Sequence, residues 1–406
     1  MTAIDVRTSL DAGAVAAAVA AALRTVEANI EAFGGLYPAD TTAGNRYPAR
    51  PAIGGQPEGA NVGWTTSFWP GMLWLANDLS GDLSGDLSGD LSGDLSGDET
   101  FRLAAMSHVD SFADRVARGI DLDTHDLGFL YTLSCVWPWR RTGDERARAA
   151  ALAAADHLMS RFLEPAGIIQ AWGDLHDPRQ RGRTIIDSLM NTPLLFWAGS
   201  VTGEPRYAEA ARRHTTQLRD NVLRPDDSTF HTFYWDPVTG EPLRGETEQG
   251  HADDSCWARG QAWGIYGFAL NHRYTGEPSF LEASMRCARH FLAHLPADHV
   301  PYWDLAFRDG SGQEKDSSAA AIAACGLMEL ANFCPDAGYQ GAAARILGSL
   351  MESYSTARHP ESNALIRHGV YDKPKGVGVD EGNLWGDYFY LEALTRATRP
   401  EWAAPW

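Results

Sequence analysis

Apolar positions along the chain form two kinds of segment, and both have the spacing of a helix rather than of a strand. Segments of the first kind are apolar on most sides, whereas those of the second kind, such as YAEAARRHTTQLRD from Tyr207, carry Arg and Glu on one face. Helices that are apolar all round are buried, and one-sided helices face water. The alternation therefore predicts inner helices that are each followed by an outer helix. The inner segments are FWPGMLWLAND, LGFLYTLSCVW, DSLMNTPLLFWAG, ARGQAWGIYGFAL, SSAAAIAACGLMEL and NLWGDYFYLEAL.

A similar turn follows most of the inner segments. It contains a Gly, which suits the left-handed residue at the end of a helix, and then an acid or Pro, which suits the first turn of the next helix. The copies are LSGDETFRLAA, RTGDERARAAA, VTGEPRYAEAA, YTGEPSFLEAS and, more loosely, PDAGYQGAAAR. These turns define five outer helices, and an Ala-rich helix over 11–33 supplies the sixth. We predict an all-α fold, a single (α/α)6 barrel over 1–406; separate helical domains are the alternative, but the sequence contains no linker to divide them.

An LSGD tetrapeptide is repeated five times over 79–98, at the first predicted hairpin turn. One SGD would suffice for that turn, and an insertion into an exposed turn costs little free energy. The aspartates lack the nine-residue spacing of repetitive calcium sites. We therefore interpret the repeat as a flexible expansion, with a calcium site as the alternative.

Composition and charge exclude several classes of partner. The 406 residues carry a formal net charge of −19, which disfavours binding to nucleic acid or to an anionic membrane surface. The five cysteines are odd in number and form no CxxC pair, so we expect reduced thiols and a cytoplasmic location. The run AGAVAAAVAAAL follows Asp5 and Asp11 and continues into RTVEANIEAF, which predicts a helix rather than a signal peptide. No uninterrupted apolar run reaches the length that spans a bilayer.

Polar residues gather where the inner segments begin, in GWTTSFW, THDLGF, TIIDSLMN, DDSCWARGQAW, KDSSAA and DEGNLWGD. In a ring of alternating helices all inner helices begin at the same rim, so these six starts are expected to face one pocket. Ser, Thr and Asp are also the preferred N-cap residues. We interpret Asp254, Asp316 and Asp380 as helix caps on this ground.

Asp126 and Asp187 differ from these caps because each is followed by large apolar residues, Leu127 and Phe129 in one case and Leu189 and Met190 in the other. A carboxyl group in such surroundings has a raised pKa and can remain protonated near neutral pH, as a general acid must. Two acids on adjacent inner helices could divide the work, with one donating a proton and the other orienting or sharing charge. Two buried capping aspartates are the alternative.

Aromatic residues surround these acids, and a cluster of aromatic rings at the mouth of a pocket suits the apolar faces of sugars. The rings belong to Trp64, Phe68, Trp69, Phe129, Trp172, Trp257 and Trp263. Candidate donors and cations are His231, Gln249, Arg259, Lys373 and Lys375. Arg259 suits a ligand carboxylate, although pairing with Asp253 or Asp254 is the alternative. The chain has no GxxxxGK[ST], GxSxG or HExxH motif, so neither a metal nor a nucleotide cofactor is predicted.

Several long segments, which run in order from about 60 to 395, resemble the unsaturated glucuronyl hydrolases of glycoside hydrolase family 88. They are WTTSFWPGMLWLA, THDLGFLY, IIDSLMNTPLLFWA, TFYWDPVTGEPLRGET, DDSCWARGQAWGIYGFAL, DSSAAAIAACGL and GVDEGNLWGDYFYLEAL. The resemblance implies an (α/α)6 barrel, in agreement with the pattern of helices and turns. The LSGD expansion and part of the C-terminal loops depart from the family.

The resemblance also implies a reaction. Enzymes of this family remove the non-reducing-end Δ4,5-unsaturated uronate from oligosaccharides that polysaccharide lyases release. They hydrate the C4=C5 vinyl ether, and they need no cofactor. By position, Asp187 matches the acid/base of the family and Asp126 its second essential carboxylate. The positions that match substrate contacts are Trp64, Trp172, His231, Gln249, Arg259 and Trp263, and the aromatic cluster adds Phe68 and Phe129 as candidates.

Other functions compete with this one. The related unsaturated rhamnogalacturonyl hydrolases share the barrel and the chemistry, although WARGQAW favours the glucuronyl group. An inverting glycosidase acting on saturated uronosides and a non-catalytic sugar-binding barrel are the remaining alternatives. Retention of both Asp126 and Asp187 argues against the last of these. Lys373 and Lys375 could contact a sulfate group, but solvated loop lysines are the simpler interpretation.

Overall fold

The computed structural model describes residues 10–86, 97–177 and 180–406, and its helices alternate between an inner and an outer ring. In chain order the described helices are α1 (Ala12–Phe33), α2 (Phe68–Asp86), α3 (Gly97–Ser107), α4 (Val109–Ala117), α5 (Leu127–Tyr131), α6 (Trp137–Thr142), α7 (Glu145–Ser160), α8 (Thr192–Thr202), α9 (Pro205–Asn221), α10 (Ala258–Thr275), α11 (Pro278–Ala293), α12 (Ser317–Ala331), α13 (Tyr339–Ser349) and α14 (Leu384–Thr398). The outer ring consists of α1, α3 with α4, α7, α9, α11 and α13, and the remaining helices form the inner ring.

Short helical turns of other types complete several of these helices. A π-helical turn, Thr132–Val136, joins α5 to α6, and another, Leu350–Tyr354, extends α13. A 3-10 turn, Ile186–Met190, precedes α8, and a second, Pro335–Ala337, precedes α13. The ring closes where α14 packs against α2, and α1 lies against both. The predicted (α/α)6 barrel is confirmed.

Within the described residues the helices are accompanied by three small antiparallel sheets, and the sequence pattern did not predict these sheets. Their orders are β1–β2, β3–β4–β5 and β6–β7. All the strands lie in connections that lead from an outer helix to the next inner helix, at the rim where inner helices begin. Three connections in the other direction, those before α7, α9 and α11, are turns of two residues. The strands are β1 (Phe162–Leu163), β2 (Ile168–Ile169), β3 (Arg183–Ile185), β4 (Thr232–Trp235), β5 (Pro242–Glu246), β6 (Gly369–Asp372) and β7 (Val377–Glu381).

The predicted glycine turns are confirmed at the ends of α6, α8 and α10. Gly143, Gly203 and Gly276 have φ angles of 73°, 77° and 66° and close these helices in the left-handed conformation. Asp144 then caps α7 by accepting hydrogen bonds from the backbone N–H groups of Arg146 and Ala147. The backbone of α2 continues through the first LSGD copies to Asp86. Residues 87–96 of the repeat lie outside the described part of the chain, so its interpretation as a flexible expansion stays a prediction.

The prediction that three aspartates act as helix caps is confirmed for one of them. Asp316 accepts hydrogen bonds from the backbone of Ser318 and Ala319 at the start of α12. Asp254 is exposed and lies ahead of α10, whose first residue is Ala258. Asp380 lies in β7 and contacts His368, 2.6 Å away. The prediction was wrong for these two because irregular backbone and strands, rather than helix starts, occupy their positions.

Helix α1 is long and apolar enough to cross a membrane by length and composition. In the structure it belongs to the outer ring, and its apolar face, which includes Val19, Leu23 and Val26, packs into the core. Asp11 caps its N-terminus by accepting a hydrogen bond from Ala14. This helix is therefore the sixth outer helix that the sequence predicted. All five cysteines are free thiols, as predicted, and only Cys334 is partly exposed.

The segment after α14 closes the end of the barrel opposite the strands. Trp406 is buried, and its indole N–H donates to Glu392 over 2.9 Å. Its ring packs against Phe129, whose centroid is 5.8 Å away, and lies parallel to Phe389. Backbone oxygens of the same segment accept hydrogen bonds from Arg140 and Arg273. Aromatic packing thus occupies the axis of the barrel at the level of Phe129 and Phe389.

Gly128 on α5 allows two inner segments to approach unusually closely. A Cβ atom at this position would lie 2.2 Å from the backbone Cα of Asn191, between the 3-10 turn and α8. Asn191 also accepts a hydrogen bond from the backbone of Phe129 over 2.8 Å. The contact brings the start of α5, where Asp126 lies, against the turn that contains Asp187.

We predict that Gly128→Ala destabilises the protein by about 2 kcal/mol or more, because the added methyl group has no room and must displace backbone. Thermal or urea unfolding measures the loss. Gly341→Ala on α13 is the matched control, since the nearest atom to its new Cβ is Arg345 Nη1, 3.6 Å away. Gly341 is half-buried with room for a methyl group, so the control substitution should be neutral or slightly stabilising. Equal stabilities of the Gly128→Ala variant and the wild type would contradict the close approach.

Candidate active site

A cavity of about 240 Å³ opens at the strand-bearing rim, where the inner helices begin. It brings together both candidate acids and six of the eight residues that the sequence predicted as substrate contacts. The lining residues are Trp64, Asp126, Trp172, Ile185, Asp187, His231, Glu248, Gln249, Trp257, Arg259, Trp263, Tyr371 and Lys375.

Asp126 is the first of the two acids, and it occupies the N-cap position of α5 without capping the helix, since its side chain makes no cap hydrogen bond. Its Oδ2 accepts from the hydroxyl of Thr124 over 2.8 Å, and Oδ1 lies 3.1 Å from His125 Nε2. Burial opposes its ionisation, but His125, Thr124 and Asn191 together outweigh burial and lower its pKa below the ordinary value. Asp126 is therefore a carboxylate at neutral pH.

Asp187 is the second acid, and its surroundings have the opposite effect. It lies in the 3-10 turn between β3 and α8, only 8% exposed. Its Oδ1 finds no hydrogen-bond partner among the described residues. Burial raises its pKa to about 7; the negative charge of Asp126 adds to this rise, while His125 and Arg259 oppose it. Asp187 can thus hold a proton at neutral pH beside an ionised neighbour.

His125 joins the two acids, and the sequence analysis did not predict it. Its imidazole is buried, with Nε2 3.1 Å from Asp126 Oδ1 and 3.6 Å from Asp187 Oδ1. Burial lowers its pKa, but the pull of Asp126 and Asp187 exceeds that effect and the net shift is upward. The residue stands beside Asp126 in THDLGF, so the signal was adjacency to a candidate acid within a polar helix start.

The same three side chains offer one imidazole nitrogen and two carboxylate oxygens within 4.8 Å of one another, a set that could hold a metal ion. In the structure Nε2 of His125 lies 3.1 Å from Asp126 Oδ1 and 3.6 Å from Asp187 Oδ1, so the imidazole faces both carboxyl groups. The prediction that no metal is needed remains to be tested.

Arg259 supplies a buried positive charge at the cavity wall. Its guanidinium pairs with Asp316 over 3.2 Å and donates to Gln249 Oε1 over 2.6 Å. It also lies over the rings of Trp257 and Trp385, 4.4 and 5.0 Å from their centroids. The alternative partners considered from sequence, Asp253 and Asp254, are not the ones it uses. These contacts fix the position of the guanidinium, and Arg259 remains one of the residues that line the cavity.

His231 lines the same wall as a neutral imidazole. Burial, followed by the positive charges of Arg259 and Lys375, lowers its pKa to about 3. Its Nδ1 accepts hydrogen bonds from the backbone N–H groups of Glu248 and Gln249 over 2.9 and 3.2 Å. The ring proton must then lie on Nε2, which makes His231 a hydrogen-bond donor.

The predicted aromatic cluster divides into two layers. Trp64, Trp172, Trp257 and Trp263 line the cavity, whereas Phe68 and Phe129 are fully buried behind it. Phe129 packs against both Trp64 and Trp263, with centroid distances of 5.8 and 5.4 Å. The direct substrate contacts expected of Phe68 and Phe129 are therefore corrected: these rings support the wall. Trp69 is likewise a core residue.

The β6–β7 hairpin contributes Tyr371, which the sequence analysis did not predict, and Lys375, which it named as a candidate cation. Tyr371 accepts a hydrogen bond from Trp64 Nε1 over 3.0 Å and lines the cavity. Lys375 also lines the cavity and pairs with Asp372 over 2.8 Å, while Lys373 pairs with Glu314 outside it. Glu248, a carboxylate on the opposite connection, was not predicted either.

Comparison with known proteins agrees with this geometry. The family model described as Glycosyl Hydrolase Family 88 matches residues 94–399. The unsaturated chondroitin disaccharide hydrolase of Streptococcus pneumoniae is 43% identical over 397 residues, 97% of this chain and 93% of the relative. The crystal structure of unsaturated glucuronyl hydrolase from Streptococcus agalactiae superimposes with a TM-score of 0.87 at 42% identity, covering 98% of this chain and 94% of that one. An aspartate-to-asparagine mutant of the latter enzyme, complexed with dGlcA-GalNAc6S, has a TM-score of 0.78 at 40% identity, covering 97% and 93%.

We predict that Asp187→Asn becomes more stable relative to the wild type as the pH rises. In the unfolded chain this carboxyl ionises with an ordinary pKa, near 3.8, whereas in the folded protein its pKa is about 7. Between these values the folded state binds the extra proton, so the wild type loses stability with rising pH and the variant does not. Urea unfolding should show a relative gain of on the order of 2 kcal/mol from pH 5 to pH 8.

Asp254→Asn serves as the control for this measurement, because Asp254 is exposed and outside the cavity. Its stability relative to the wild type should not depend on pH in the same way. Burial also raises the pKa of Asp387 to about 7, so Asp387 contributes to the pH dependence of stability in the wild type and in the Asp187→Asn variant alike. The difference between the two proteins removes this contribution. An Asp187→Asn difference that is constant from pH 5 to pH 8 would show that Asp187 is ionised throughout.

Proposed function

The chain belongs to glycosyl hydrolase family 88, and from that premise we propose that it removes Δ4,5-unsaturated uronates from the non-reducing ends of lyase-generated oligosaccharides. One observation carries the proposal: Asp187, with a pKa of about 7, lies beside the ionised Asp126 in the wall of a tryptophan-lined cavity. Protonation of a vinyl ether carbon requires an acid that is neutral at working pH, and burial provides it.

The reaction follows from the state of the two acids. Asp187 gives its proton to C4, and the electron pair of the C4=C5 bond forms the new C–H bond. Positive charge then develops at C5 and the ring oxygen, close to the carboxylate of Asp126. Water adds to C5 and returns a proton to Asp187. The resulting hemiketal opens, and C1 releases the remaining sugar, so one water is consumed and the acid is regenerated.

The other lining residues suit the binding of an anionic sugar. Arg259 and Gln249 lie together on one wall and match the carboxylate of the uronate. His231 can donate from Nε2 to a hydroxyl or to that carboxylate. Trp64, Trp172 and Trp263 offer faces and edges to the sugar rings. The carboxylate of the substrate also adds negative charge to the cavity, which favours the protonated form of Asp187.

The substrate class that we propose is a glycosaminoglycan-derived disaccharide of the chondroitin type, which is the named substrate of the Streptococcus pneumoniae relative. A sugar complex of a related enzyme supports an oligosaccharide as the binding partner. The unsaturated rhamnogalacturonyl hydrolase activity is the second candidate, and pectin-derived substrates distinguish the two. The acid pair argues against a non-catalytic sugar-binding barrel.

We also propose that the chain acts as a single catalytic domain in the cytoplasm. The support for one domain is that the ring closes through α14 and α2 and that the family model extends from residue 94 to residue 399. The support for a reducing compartment is that all five cysteines are free.

We predict that the wild type consumes unsaturated chondroitin disaccharides, with loss of the ultraviolet absorbance of the conjugated double bond. Asp187→Asn and Asp126→Asn should each lower kcat by about 10³-fold or more while the fold is kept, because one lacks the proton donor and the other its charged partner. Asp254→Asn is the matched control and should retain activity. The assay is run with and without EDTA, and a loss in EDTA would show that the three-residue cluster holds a metal.

We predict a bell-shaped dependence of kcat/KM on pH. Because the reaction needs protonated Asp187, kcat/KM should fall above pH 7, with an apparent pKa near 7 in the free enzyme. Because it also needs ionised Asp126, whose pKa is low, the acidic fall should occur well below the alkaline one. A rate that keeps rising through pH 8 and 9 would contradict the role of Asp187 as the proton donor.

A further inference from the structure

A buried histidine outside the cavity is bonded to the turn that contains Asp187 and to the strand β2, which leads to the residue that contacts His125. His214 lies on the outer helix α9 and is completely buried. Its Nδ1 accepts a hydrogen bond from the backbone N–H of Ile169 in β2 over 3.0 Å. Its Nε2 lies 2.7 Å from the hydroxyl of Ser188, which is the residue after Asp187.

The direction of these hydrogen bonds fixes the form of the ring. Since Nδ1 of His214 accepts a backbone N–H, the proton of the neutral imidazole must be on Nε2, which donates to Ser188. The hydroxyl of Ser188 in turn donates to the carbonyl oxygen of Ile185 over 2.6 Å. The hydrogen bonds therefore run in one direction, from the N–H of Ile169 through His214 and Ser188 to the carbonyl of Ile185. Burial, and then the charge of His125, lower the pKa of His214 to about 3, so the ring stays neutral.

One end of this series of hydrogen bonds lies near His125, and the other end lies beside Asp187. Beyond Ile169 the backbone reaches Ala171, whose carbonyl accepts the backbone N–H of His125 over 2.8 Å. At the other end, Ser188 is part of the 3-10 turn that contains Asp187. The imidazole of His214 therefore links the turn that contains Asp187 to the backbone segment 169–171, which accepts the hydrogen bond from His125.

We propose that His214 is a positioning residue that sets the distance between Asp187 and the His125–Asp126 pair. The proposal rests on the proposed function for its kinetic consequences, but not for its structural ones. A neutral ring adds no charge of its own, so its effect on Asp187 is geometric. The charged groups that face Asp187 are His125 and Asp126 at the start of α5 and Arg259 on α10.

Two substitutions at this position separate the two hydrogen bonds. The amide oxygen of His214→Asn can still accept from Ile169, but no donor reaches Ser188, whereas the amide nitrogen of His214→Gln lies near the place of Nε2. We expect His214→Asn to lower kcat by about 10- to 100-fold, because small displacements of a reacting group have effects of that size. KM should change by less than about threefold, since the substrate-binding walls are untouched.

Further variants make the comparison specific. His214→Gln should recover part of kcat. Ser188→Ala, which removes the acceptor for Nε2 of His214 together with the hydrogen bond to Ile185, should lower kcat at least as much as His214→Asn does. In both impaired variants the alkaline fall of kcat/KM should move to lower pH, because a loosened turn admits water to Asp187. His108→Gln is the control: His108 is also buried, bonded to Tyr37, and distant from the cavity, so it should lower stability and leave kcat and the pH profile unchanged.

A stability measurement tests the proposal without substrate. The gain in stability of Asp187→Asn between pH 5 and pH 8 should be smaller in the His214→Asn background than in the wild-type background, as a double-mutant cycle measures. An equal gain in the two backgrounds, or an unchanged kcat and pH profile in folded His214→Asn, would overturn the proposal. If the wild type turned over no unsaturated disaccharide, the proposed function would fail, and the cycle would still decide the role of His214.

Discussion

The site depends on the burial of two carboxyl groups around one imidazole. Removing an ion from water costs several kcal/mol, so two buried acids this close cannot both be ionised without compensation. Asp126 is compensated by its ion pair with His125 and by the hydrogen bond that it accepts from the hydroxyl of Thr124. Asp187, whose Oδ1 has no such partner in the described residues, keeps its proton instead. The difference in hydrogen bonding between the acids therefore assigns their protonation states.

The two ends of the barrel differ: one is closed by packed side chains, and the strand-bearing rim contains the cavity. The connections that lead into the outer helices α7, α9 and α11 are two-residue glycine turns, and aromatic packing around Trp406 lies beneath the cavity. Connections from outer to inner helices are longer, contain all the strands and contribute most of the cavity wall. Functional side chains thus lie on loops and helix starts that a rigid ring of helices holds in place.

Local charge overcomes the net charge of the protein at this site. A chain with a formal charge of −19 repels an anionic sugar at long range, so binding needs a cation at the point of contact. Under the proposed function Arg259 is that cation, since Asp316 and the rings of Trp257 and Trp385 hold its guanidinium in place at the cavity wall. The same rigidity limits the side-chain entropy that a ligand must overcome on binding.

The amino-acid sequence by itself determined the ring of helices, the glycine turns and the two candidate acids. These features follow from periodicity and from local chemistry, such as the apolar residues that follow Asp126 and Asp187. Sequence patterns also identified most of the residues that line the cavity. They predicted substrate contacts for Phe68 and Phe129, which instead lie buried behind the cavity wall. The depth of an aromatic ring depends on what packs against it and not on its neighbours in the chain.

The family resemblance had assigned the acid/base role to Asp187, but only the tertiary structure gave the physical reason, because the protonation states depend on His125 lying closer to Asp126 than to Asp187. It also revealed the hairpin residue Tyr371 and the buried His214, which reach the site or its supports from distant parts of the chain. Their roles arise from hydrogen bonds between segments far apart in sequence, and no local pattern encodes such contacts. Periodicity could therefore specify the scaffold, whereas the electrostatics of the site came from the folded arrangement.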